Sequence, residues 1–115
     1  MILESGDVIL VCNRRLFDGD EARYFVGRTI ACEGALLKAE GYSFVKDLSN
    51  GHIVKKEEKR TKVISISSAG YILYQLPGEF DLESYDIVSG HADTALVAGA
   101  QRIMNLAEHT HCGQF

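Results

Sequence analysis

A chain of 115 residues, 46% of them hydrophobic, is long enough to bury one core and forms a single domain, residues 1–115. No apolar run approaches the roughly 20 residues of a membrane span. The opening "MILESGDVIL" meets Glu4 and Asp7 before a cleavable apolar segment forms. Neither membrane insertion nor secretion is therefore expected, and a cytoplasmic location is. The net charge of −4 is unevenly spread: residues 1–77 carry eleven Lys or Arg and ten Asp or Glu, residues 78–115 one and six. The second part is too short to bury a core alone, so it must lean on the first or on a neighbouring subunit.

In chain order, "DVILVCNRRLF" from Asp7 is β-branched and apolar without helical periodicity, which predicts a strand buried on both faces in its first half. Asp18 and Gly19 turn the chain. "ARYFVGRTIAC" then alternates apolar with polar as a second strand, and Gly27 inside it marks a bend, a bulge or a close backbone approach. "ALLKAEGYSFVKDL" holds good helix formers at its start, but Gly41 and "YSFV" favour a third strand bent at "EG". After the turn signal "SNG", "HIVKKEEKRTKVISIS" reads as a fourth strand or as two arms of a charged hairpin. The turn "SSAG" leads into "YILYQLP", a fifth strand closed by the only proline.

Five short, strongly bent antiparallel strands predict a mainly β fold, a small closed barrel of the SH3 type over residues 7–77, because closure removes edges that would otherwise pair indiscriminately. The extension, residues 78–115, differs. Val88, Ala92, Ala95, Leu96, Gly99, Ile103, Leu106 and Ala107 recur at steps of three and four, which predicts a C-terminal amphipathic α-helix over about 90–108. Ser89 would cap it, and Asp93 would suit its dipole.

"FVGRTIACEGALL" places an aromatic residue, a glycine and an acid at Phe25, Gly27 and Glu33, and "VISISSAGYILYQLP" carries Gly70 between two short strands. In these residues the chain resembles the Sm-like family, small five-stranded barrels found in RNA-associated rings and in related bacterial and phage proteins. The resemblance implies a homo-oligomer, with the last two β-strands continuing the sheet from subunit to subunit around a ring, and RNA as a possible ligand. Leu37 and Ser67-Ser68 stand near positions where the family's RNA pockets use an asparagine and an Arg-Gly pair, so the ring is implied more directly than the base-reading pocket. The helix that usually precedes such a barrel is also missing.

No Walker loop, G-x-S-x-G elbow or H-E-x-x-H motif is present, which argues against an enzyme and calls for no cofactor. Ser89, His91 and Asp93 are neighbours in sequence, whereas triads are assembled from distant segments. The three cysteines lack a C-x-x-C pair and are expected to be reduced and mostly buried. His109, His111 and Cys112 are weak metal-ligand candidates in a polar tail with no framework to hold them, so no metal is expected. The cluster "KKEEKRTK" offers Lys55, Lys56, Lys59, Arg60 and Lys62 as candidate phosphate contacts, and Arg14 and Arg15 add cations beside the first strand. Arg23 and Arg28 extend that charge, and Tyr24, Tyr42, Tyr71 and Tyr74 are either stacking platforms or core residues, the latter expected. Three readings follow: a self-assembling binding or scaffolding ring, a single-stranded RNA binder, and a small metal-dependent enzyme.

Overall fold

The computed structural model describes residues 3–13, 23–47, 49, 52–67, 70–89 and 94–106. Among the described residues nine antiparallel strands form two sheets. In the first, β1 (Val8–Asn13), β2 (Arg23–Glu33), β3 (Leu36–Lys46), β4 (Ile53–Lys55), β5 (Arg60–Ser65) and β6 (Tyr71–Leu76) are ordered β4-β3-β2-β1-β6, with β5 also on β3. The second is a meander of β7 (Tyr85–Ser89), β8 (Thr94–Ala98) and β9 (Gln101–Asn105), entered through a single 3-10 turn at Leu82–Ser84.

β1 sits inside the first sheet, between β2 and β6, and both of its faces are covered. Val8, Leu10 and Cys12 join Tyr24, Val26, Phe44 and Leu76 in a core shared with Tyr85, Ile87, Leu96, Ala98 and Leu106 of the second sheet and its flanks. Ile9 and Val11 point the other way, into a cluster with Phe25, Leu37, Ala39 and Ile64. An unbroken apolar run is what a strand with no solvent face requires. The extension thus leans on the first sheet as its composition demands. Tyr85 is fully buried, and its hydroxyl donates to the Pro77 carbonyl at 2.7 Å.

Gly27 of β2 faces Gly41 of β3. A Cβ on Gly41 would lie 2.0 Å from the Val26 carbonyl oxygen and 2.5 Å from the Gly27 Cα, and one on Gly27 would lie 2.6 Å from the Phe25 ring. The two strands approach there as only glycine allows, and the β2 register shifts again between Thr29 and Ala31. This bends the eleven-residue strands so strongly that Ile64 of β5 and Leu73 of β6, at opposite ends of the sheet, reach the same cluster.

The expected closed barrel is corrected to a curled, open sheet: β5 pairs with β3 and β6 with β1, but they do not pair with each other. Lys62 provides the physical reason. It occupies an inward position next to Ile64, half-buried over the Phe25 ring at 4.9 Å, and an ammonium group there needs solvent that a closed seam would remove. The fourth-strand alternative holds, with an interruption. β4 and β5 run in one direction along β3, opposite 44–46 and 36–41, and Lys56–Lys59 form the break between them.

The expected C-terminal helix is overturned. Thr94–Ala98 and Gln101–Asn105 are strands, Ser89 ends β7 instead of capping a helix, and Asp93 lies outside the described residues. Gly99, at φ 60°, is the pivot of a two-residue hairpin loop with Ala100, the same Gly-Ala device by which Gly34, at φ 58°, and Ala35 join β2 to β3. Spacings of three and four among small residues imitated a helical stripe, while the β-branched Thr94, Val97 and Ile103 marked strands. Among the described residues no helix is long and apolar enough to cross a membrane.

Gly41→Ala is expected to destabilise the fold by about 3 kcal/mol or more in urea unfolding, because its new methyl meets backbone on both strands; Gly27→Ala costs less, since its nearest obstacle is a side chain. Thr29→Val moves the other way. Its buried hydroxyl has no hydrogen-bond partner, so an isosteric methyl raises stability by about 1 kcal/mol in the same measurement.

Candidate functional site

The basic cluster spans the break between β4 and β5, and its five cations have different environments. Lys55 is half-buried. Its Nζ lies 4.6 Å from the Tyr42 ring centre and donates to the carbonyl oxygens of Glu83 and Tyr85 at 2.9 Å each. It therefore ties the first sheet to the start of β7, with its donors committed inside the protein. Lys56 is exposed, and its backbone amide continues the ladder to the Ser43 carbonyl. Lys59 rests 5.8 Å from the Tyr42 ring, and Arg60 pairs with Glu58 at 3.1 Å in an exposed contact of little net strength.

Lys62 points elsewhere, into the curl of the sheet. Burial first, then the charges of Arg60 and Arg23, hold its ammonium below the usual lysine pKa. It helps to line a cavity of about 350 Å³ between β5 and β6, where Arg23, Asn13 and Tyr71 also converge over Val11, Phe25 and Ile64. The structure thus divides the sequence cluster in two: Lys55, Lys56, Lys59 and Arg60 along the outer break, and Lys62 in the cavity with Arg23 of β2. Asn13 carries no sequence signal. It joins the cavity because Tyr71 is its register partner across β1 and β6.

Arg14 and Arg15 lie outside the described residues, as do His109, His111 and Cys112. Arg28 is committed to the Gly6 carbonyl at 2.9 Å. Tyr24 is buried, and Tyr42 and Tyr74 pack against the larger core, so Tyr71 is the most exposed of the four tyrosines. Phe25 and Gly27 sit at the bend, Glu33 is exposed where β2 enters its hairpin, and half-buried Gly70 precedes β6. Cys12 is buried and Cys32 half-buried, and neither is in a disulfide.

Among the described residues the first sheet ends in β4 and β5 on one side and in β6 on the other, each paired along one side only. Beside β5, Val63 is 65% exposed, Leu36 52% and Ile66 38%, an apolar margin on an open strand. No family model, curated protein or solved structure matches the chain.

The contrast between neighbouring lysines is measurable. Lys55→Gln is expected to lose about 2 kcal/mol of stability in urea unfolding, since it removes two charge-assisted bonds between the sheets, whereas Lys56→Gln leaves the midpoint unchanged.

Proposed function

We propose that the protein is a self-assembling binding or scaffolding module of Sm-like character, whose subunits join edge to edge, β5 of one against β6 of the next, into a closed ring. The supporting observation is that, among the described residues, β5 and β6 each keep one side unpaired on the same curled sheet. A heterologous contact between two different edges propagates from subunit to subunit and terminates only by closing on itself. The apolar margin of Leu36, Val63 and Ile66 gives the contact a hydrophobic component beyond its backbone ladder.

Which β5 groups face outward follows from its pairing. The Ile66 amide donates to the Ala35 carbonyl, so by antiparallel alternation the amides of Ile64, Lys62 and Arg60 face β3 while those of Thr61, Val63 and Ser65 face away. Proline at Val63 removes one outward donor and leaves the ladder to β3 intact.

Native mass spectrometry of the full chain should give a closed ring of roughly five to eight subunits, with the ultraviolet absorbance ratio reporting any nucleic acid it carries. Val63→Pro should give monomers with an unchanged circular dichroism spectrum. A monomeric parent protein at micromolar concentration overturns the reading, and an unaltered ring in the proline variant removes β5 from the interface.

A further inference from the structure

The cavity between β5 and β6 is lined by residues of one chain, Val63 of the β5 edge among them. Its chemistry is divided. Val11, Phe25 and Ile64 supply an apolar floor, while Lys62, Arg23, Asn13 and Tyr71 bring cationic, amide and phenol groups to its walls. Two cations converge there, and no carboxylate is among the described residues that line it. The charges that reach Lys62 are Arg60 on its own strand and Arg23 on β2, both positive. Like charges gathered around a partly desolvated ammonium cost stability unless an anion joins them. The Lys62–Phe25 contact, at 4.9 Å, offsets some of that cost without neutralising the charge.

We propose that this cavity binds a small organic anion, one phosphate or carboxylate group carried on a compact apolar or planar body. Arg23 offers a planar fork and Lys62 a point charge, a combination suited to an oxyanion. Asn13 and Tyr71 add hydrogen-bonding groups that can orient it, and the floor takes the body. The volume, about 350 Å³, is within the size range of sites for single small molecules.

Phenyl phosphate is a suitable probe, titrated into the full-length protein and followed by amide and side-chain NMR, with inorganic phosphate and phenol as the two halves of the ligand. Saturable shifts centred on Asn13, Arg23, Phe25, Lys62 and Tyr71 are expected, with phenyl phosphate binding more tightly than either half. Arg23→Gln and Lys62→Gln should each weaken it by about tenfold, the loss of one charge-assisted contact. Both substitutions are at exposed or half-exposed positions, so the fold should persist, and unchanged amide spectra elsewhere verify it. A second readout is the titration of Lys62 itself. An anion beside it must raise its pKa on loading, which a ligand bound elsewhere would not do. No saturable shifts at millimolar probe overturn the proposal. So does binding that both glutamine variants leave intact, or a Lys62 titration that loading does not move.

Discussion

The close approach of β2 and β3 at Gly27 and Gly41 is the constraint on which the rest of the structure depends. A methyl group at Gly41 would sit inside backbone van der Waals contact, so the strands can cross at this distance only while both positions lack side chains. The bend divides the first sheet's work. On one face Tyr24, Val26 and Phe44 meet the second sheet, and on the other Phe25, Leu37 and Ala39 meet Ile64 as the sheet curls over itself. β1, caught between, loses any solvent face, which is why its sequence is continuously apolar. Without the bend, the first sheet would offer one broad apolar face on each side, and three short strands of the extension could not cover both.

The curl stops short of closure, and the two inward or half-inward lysines show how. Lys55 satisfies its ammonium group with two carbonyls from the segment entering β7, and that arrangement holds the sheets together. Lys62 has no comparable acceptor among the described contacts; aromatic π-density and solvent serve instead. An inward lysine near an edge strand is a known deterrent to indiscriminate pairing. Here it leaves the seam open on the inner side, while Val63 beside it is 65% exposed. The strand thus carries a cation toward the curl and an exposed valine beside it.

The elements legible in the sequence were those whose pattern has one cause. β1 was readable because double burial permits only apolar residues, and β6 because a short, largely apolar run is closed by the only proline. The bend was readable from Gly27 and Gly41, each an interruption in a strand pattern. The last two strands were not, because Ala95, Leu96, Gly99 and Ile103 satisfy both a helical spacing and a hairpin with a two-residue loop. What decides between them is the Gly-Ala pair at 99 and 100, whose twin at 34 and 35 joins β2 to β3. The cavity was illegible for another reason. Its residues come from β1, β2, β5 and β6, and only the curl brings Arg23 beside Lys62. Reading the basic run as a unit concealed that Lys62, although near Arg60 in sequence, faces inward.

Openness of the sheet underlies both the edge and the cavity, so the two are physically linked. A barrel closed by its own β5–β6 ladder would have neither a free edge to offer nor a space between those strands. A strand arriving against β5 would take more water from around Lys62, Arg60 and Arg23, and that increases the cost of holding those like charges together. An anion already seated in the cavity removes the cost by compensating the charges before the water leaves. Binding of the anion and pairing at the edge would then favour each other by the same free energy, as linkage requires. Under the coupling proposed, the anion would make the face of β5 that carries Lys62 compatible with a neighbour, and the inward lysine would be the group through which one event senses the other.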